Sequence, residues 1–193
     1  MARVKSEVGP RWAKFCGWLL RKMGWESVGG PMKEPKAIVL GVPHTTVWDF
    51  LVSYLFYTQY GKVAHIMIKK EFFFWPLGGI IRKMGGIPTD RTNPTAMIKS
   101  VIDEMERGGT FHLAIALEGS RKPVKRWKTG YHLIARAANV PVYMAYFDWG
   151  TKHVGFGTKV ELTDDARADT DRIQALYEEK HLVGKHPEGY ITH

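Results

Sequence analysis

Between Trp12 and Met23 the apolar residues Trp12, Phe15, Cys16, Leu19, Leu20 and Met23 recur at intervals of three and four, with Arg11, Lys14, Arg21 and Lys22 on the opposite side. That spacing predicts a basic amphipathic helix. Trp18 and Trp25 fall on its polar side among the cations, where amphipathic rings suit a lipid headgroup boundary; docking on the rest of the chain is the other use of such a helix. After a loop rich in Gly and Pro over residues 29–35, the continuous apolar run 37–40 predicts a buried strand and 47–57 an apolar helix. Residues 63–68 read as the next strand. Asn93 and Pro94 open a helix as N-cap and first helical residue, and its buried stripe is Met97, Ile98, Val101, Ile102 and Met105, ended by Gly108 and Gly109. Downstream come a strand at 111–116, a turn at 118–123, a helix at 130–138, a strand at 140–147, an antiparallel strand near 154–162 and a helix near 170–181. Strands alternating with helices predict an α/β fold: a single domain with a mostly parallel, mixed sheet flanked by helices, preceded by the basic amphipathic helix.

One stretch fits neither period. Phe72, Phe73, Phe74 and Trp75 are followed by Pro76, Leu77, Gly78 and Gly79, too aromatic and too interrupted for an ordinary helix or strand. Its readings are the wall of an apolar tunnel and a loop packed on the core.

With 193 residues, 45% hydrophobic and 24% charged, the chain supports one domain with a full core. We divide it into an amphipathic membrane-contact helix at 1–30 and the main domain at 31–193. A formal charge of +9 attracts polyanions: nucleic acid, an anionic bilayer or phosphorylated small molecules. Its distribution narrows the choice. Residues 1–36 hold eight Lys or Arg against three acids, and 121–136 hold six basic residues and no acid. The lone cysteine, Cys16, excludes an intramolecular disulfide and a multi-cysteine metal site, and fits a reducing, cytoplasmic setting. No apolar run reaches the roughly 18–20 residues of a membrane span, so work on lipids would be done from the surface.

Candidate chemistry lies just past the predicted strands. His44 precedes Asp49 by five residues, about 140° on a helix, so the two share no helix face and His44 belongs to the turn before the helix that carries Asp49. An imidazole whose second nitrogen meets a carboxylate can take a proton from a hydroxyl. An acid in a first helical turn also complements the helix dipole with no catalytic role. Asp90 with Arg91, and Glu118 with Arg121, follow two further strands, at the carboxyl ends where α/β sheets bind ligands. Arginines there can hold a phosphate with a bidentate fork.

In order, the blocks His44 to Asp49, Gly85-Gly86-Ile87-Pro88-Thr89-Asp90-Arg91, Glu118-Gly119-Ser120-Arg121 and Val140-Pro141-Val142 resemble those of the glycerolipid acyltransferases, the lysophosphatidate acyltransferase family. The resemblance spans about residues 37–147. It implies acyl transfer from a thioester, carried by coenzyme A or acyl carrier protein as co-substrate, to the hydroxyl of a lysolipid acceptor such as 1-acylglycerol-3-phosphate. His44 would be the general base and Asp49 its orienting partner. Arg91, Glu118, Gly119, Ser120 and Arg121 would hold the acceptor, with Phe72, Phe73, Phe74 and Trp75 the candidate acyl-tunnel wall. Ser120 stands where the family also has a hydroxyl and is not read as a nucleophile; no Gly-x-Ser-x-Gly elbow occurs. Pro43, Ala116-Leu117, Met144 and Ala145 depart from the family pattern and bear on the acceptor, leaving a lyso-aminolipid or another lipid hydroxyl as an alternative. The chain also lacks the long hydrophobic N-terminal segment of many relatives. The expected location is cytoplasmic, peripheral on the inner face of an anionic membrane. A non-catalytic basic module for membranes or nucleic acid competes with this reading, but no nucleic-acid recognition motif occurs, so no nucleic-acid partner is expected. No metal or resident cofactor is expected either: the eight histidines lack paired ligand spacing.

Overall fold

Strand β2 (Lys36–Val42) sends Ile38, Leu40 and Val42 into one core and Ala37 and Val39 into another, which requires a layer of helices on each face. It sits at the middle of a seven-stranded sheet. From one edge the strands run β1 (Glu26–Val28), β7 (His153–Val160), β6 (Val142–Asp148), β2, β5 (Phe111–Ile115), β3 (Ala64–Lys69) and β4 (Gly86–Thr89). The five from β6 to β4 are parallel; β7 pairs antiparallel with β6, and β1 runs parallel to β7. The computed structural model describes residues 6–90, 92–107 and 109–190.

On one face lie α1 (Pro10–Lys22), α2 (Trp48–Thr58) and α3 (Leu77–Lys83); on the other α4 (Pro94–Glu106), α5 (Gly130–Ala138) and α6 (Ala166–Glu178). The first core joins Cys16 and Leu20 of α1 to Val52, Leu55 and Phe56 of α2 over Val39 of β2. The second joins Val101 and Met105 of α4, Tyr131 and Ile134 of α5, and Ile173 and Tyr177 of α6 over Ile38, Leu40 and Leu113. Asn93 caps α4 as its sequence implies, its side chain accepting from the Ala96 N–H at 3.0 Å. The mixed, mostly parallel sheet is the one the alternation of elements predicts.

Four local differences have physical causes. β1 and β4, three and four residues long, are too short to show a period. α6 begins at Ala166 rather than 170, because Asp165 caps it by accepting from the N–H groups of Arg167 and Ala168. Residues 70–83 hold a single helical turn at Lys70–Phe72 and then α3, which starts immediately after Pro76. Trp25 is not at a surface boundary: it is 2% exposed, edge-on to Trp149 with ring centroids 5.0 Å apart. The chain leaves α1 at Gly24, whose φ of +82° turns it back toward the core, so the helical wheel no longer applies at residue 25. α1 itself both docks and stays open. Ala13, Cys16, Gly17 and Leu20 are buried, while Trp12, Phe15 and Trp18 form an exposed row, Trp12 stacked on Phe15 at 5.1 Å between centroids and Phe15 tilted against Trp18 at 5.8 Å.

Candidate active site

Because β2 and β5 are parallel neighbours, their carboxyl ends deliver His44 and Glu118 to one place. Glu118 Oε1 accepts from the backbone N–H of His44 at 2.8 Å, tying the two loops together. His44 occupies the turn after β2 and Asp49 the first turn of α2, as the five-residue spacing requires. His44 Nδ1 lies 3.3 Å from Asp49 Oδ2, with the imidazole 28% exposed and the carboxylate 1%.

Asp49 is held from every side by donors. Oδ2 accepts from the N–H groups of Thr45 and Thr46, each at 2.8 Å, and Oδ1 accepts from the indole Nε1 of Trp149 at 2.7 Å. Those bonds keep a buried carboxylate satisfied and fix the oxygen that faces the imidazole. Nδ1 then carries the proton toward Asp49, and Nε2 is the nitrogen left for a hydroxyl.

The residues past β6 and near the C-terminus complete this cradle, and sequence reasoning missed them. Trp149 follows β6 directly and donates its backbone N–H to Val183 O at 2.8 Å. Asp148 Oδ1 accepts from the Val183 N–H at 2.9 Å. Residues 182–190 then cross the turn that carries His44: the His186 N–H reaches Thr45 Oγ1 at 3.3 Å, and Gly184 lies so close that an added Cβ would stand 2.6 Å from Thr45 Cγ2. The available signal was Trp149's position at a strand's carboxyl end.

Glu118 is 3% exposed, and its Oε2 is buried without a hydrogen-bond partner. Burial pushes its carboxyl up to about 7, against the pull of the His44 N–H. Between the ordinary carboxyl value of 4.5 and about 7 the folded state keeps a proton the unfolded chain has lost, so this group makes stability fall as pH rises through that window. Glu118→Gln retains an acceptor for His44 and removes the titration. Urea unfolding at about pH 5 and about pH 8 should show the wild type losing up to ~3 kcal/mol more than the variant. Equal losses would mean Glu118 ionises normally.

The other candidates divide. Gly119 takes φ +63° and donates to Ala116 O at 3.1 Å, forming the turn that exposes the following residues. Ser120 Oγ accepts from the Lys122 N–H at 3.0 Å, a turn contact, and the Arg121 side chain is exposed beside the site. Arg91 lies outside the described residues; its neighbour Asp90 pairs with Lys70. Phe72, Phe74 and Trp75 are exposed and Phe73 lies under the Arg82 guanidinium, 4.9 Å from its ring. None of the four lines the apolar crevice that runs beneath α2. That crevice is walled by Val39, Gly41, Phe50, Tyr54, Ala114 and Phe156 among others. Among the described residues no group of three or more His, Cys, Asp or Glu could hold a metal ion.

A family model described as Acyltransferase matches residues 25–148, which takes in β2, the loops that carry His44 and Glu118, and β6. A search of curated proteins finds no match. Among solved structures the fold resembles that of the 1-acyl-sn-glycerophosphate (LPA) acyltransferase PlsC from Thermotoga maritima, with a TM-score of 0.60 and 17% identity over 88% of this chain and 77% of that one. The family match covers well over half of the 193 residues and includes the turn that sets His44 against Asp49, and on that ground the chain belongs to the acyltransferase family.

Proposed function

We propose that this chain moves a fatty acyl group from a thioester, on coenzyme A or acyl carrier protein, to the hydroxyl of a lysophospholipid-type acceptor such as 1-acylglycerol-3-phosphate. The observation that carries this reading is the 3.3 Å approach of His44 to a buried Asp49 whose remaining lone pairs are already taken. His44 Nε2 takes the acceptor's hydroxyl proton as that oxygen bonds to the thioester carbonyl carbon. The C–S bond then breaks, and the imidazolium returns the proton to the leaving thiolate. Asp49 stabilises the imidazolium between the two events. Arg121, exposed at the turn after Glu118, suits the acceptor phosphate with its bidentate guanidinium, and the family resemblance gives Arg91 the same role.

The acyl chain belongs in the crevice beneath α2. Its wall begins at Gly41, three residues before His44, and continues over small side chains at Ala114 and Ala145. Ala114→Leu should shorten the preferred chain. Each buried methylene is worth about 0.8 kcal/mol, so losing room for four carbons shifts the kcat/KM ratio of long to short donors by about 200-fold. An unchanged ratio places the chain elsewhere.

A peripheral membrane contact at a cytoplasmic, anionic surface fits the basic α1, whose Trp12, Phe15 and Trp18 face outward beside Arg11, Lys14, Arg21 and Lys22. No helix among the described residues is long and apolar enough to cross a membrane. The deciding experiment is thiol release from acyl-CoA and acyl carrier protein against a panel of lysolipids that includes lyso-aminolipids. Release that requires one acceptor class supports the reading and names the acceptor. No release with any pair overturns it.

A further inference from the structure

Residues 72–80 belong to neither core. Phe72, Phe74, Leu77 and Ile80 are exposed, and Trp75 is 92% exposed, so nearly all of a side chain of roughly 200 Å² stands in water. Contiguous apolar surface of this kind marks something that covers it. Four exposed cations flank the patch, Lys69 and Lys70 before it and Arg82 and Lys83 after it; Glu71 and Asp90 are the neighbouring acids, and Asp90 holds Lys70. The Arg82 guanidinium lies over the Phe73 ring, a cation kept beside aromatic surface with its charge outward. Bulky rings at the tip and cations at the base are the pattern that an anionic bilayer takes: rings at the headgroup boundary, ammonium and guanidinium groups at the phosphates.

The location adds a second line. The segment leaves the carboxyl end of β3, and one strand, β5, separates β3 from β2. At about 4.8 Å per strand spacing it therefore emerges on the order of 10 Å from the end of β2, the strand that leads into His44, at the same end of the sheet. It also lies on the α1 side, since Met84, just past α3, shares the crevice wall with Phe50 and Tyr54 of α2.

We propose that residues 72–80 are a membrane-docking segment, separate from α1, in which Phe74 and Trp75 enter the headgroup boundary of an anionic bilayer and set the mouth of the active site against it. Delivery of a lipid acceptor to that mouth rests on the acyl-transfer reading; the docking itself does not.

The test is co-sedimentation of the full chain with phosphatidylcholine vesicles containing phosphatidylglycerol, and with pure phosphatidylcholine as control. A Phe74→Ser, Trp75→Ser double variant should bind the anionic vesicles at least about tenfold more weakly, given the apolar area removed, while its melting temperature stays unchanged. A Trp12→Ser, Trp18→Ser variant of α1 run alongside should leave a residual affinity that Phe74 and Trp75 supply. Equal vesicle affinity of wild type and the 74/75 variant overturns the proposal, as does a wild type that binds neither vesicle. A lowered melting temperature overturns it too, because the rings would then be structural. So does a wild-type dimer in sedimentation velocity that the variant abolishes, since a second copy would then cover the patch. Binding is read without turnover, so failure of the acyl-transfer chemistry leaves this result standing on its own.

Discussion

His44→Ala should keep the wild-type melting temperature and lose about 10²- to 10⁴-fold in kcat, the range a positioned general base contributes. The fold is expected to survive because the imidazole is partly exposed and its one ion-pair contact among the described residues is to Asp49, while the backbone N–H that Glu118 grips is unchanged by the substitution. The freed Asp49 oxygen still accepts from Thr45 and Thr46, so no buried charge is left bare. The loss should fall on kcat with little change in KM for either substrate, because proton removal belongs to the transition state rather than to binding. Thiol release with the preferred donor and acceptor, beside a thermal melt, measures both. A kcat within about threefold of wild type would remove His44 from the chemistry and leave Asp49 as a helix-start residue only.

How far the sequence revealed this depends on the range of the contacts involved. β2 and α4 were legible because their partners are dictated by their own periodicity: an apolar run must be covered on both faces, and Asn93-Pro94 sets a helix start within three residues. The His44 and Asp49 arrangement was legible for the same reason, since a five-residue spacing fixes a turn followed by a helix. Trp149 was not, because it reaches Asp49 across a hundred residues of chain and only after β6 takes its place beside β2. Residues 182–190 carry no period at all. The close approach of Gly184 and Gly189 to Thr45 becomes intelligible once that strap is seen lying on the turn that carries His44. Phe72 to Trp75 mark the opposite case. Their aromatic density is plain in the sequence, but whether they face a core, a tunnel or solvent depends on where the chain goes after Pro76, and it goes into α3 with the rings outside. Local signals place His44 and Asp49; contacts between distant strands build the cradle that holds them.

Asp49→Asn tests that cradle more sharply than truncation would. The carboxylate's two oxygens meet only donors: the N–H groups of Thr45 and Thr46 and the Nδ1–H of His44 at Oδ2, and the Trp149 indole N–H at Oδ1. An amide offers one acceptor oxygen and one NH₂, so whichever way it is turned, two donors must face each other in a site 1% exposed. If the oxygen stays with the two backbone N–H groups, Trp149 is opposed and Trp25 and Lys152, which pack on its ring, lose their reference. If it turns to Trp149, the NH₂ faces the Thr45 and Thr46 donors and His44 loses the partner that fixes its tautomer. Either outcome leaves a buried donor unsatisfied, which costs about 1–3 kcal/mol of stability. Activity should fall by more than that stability loss accounts for, to about 10²-fold below wild type or lower, because the imidazolium also loses its balancing charge. A chemical melt and single-turnover acyl transfer on the same preparation separate the two effects. Full activity with reduced stability would make Asp49 a structural anchor for the turn, and full stability with reduced activity would mean that the amide finds acceptors among its neighbours that this geometry does not provide.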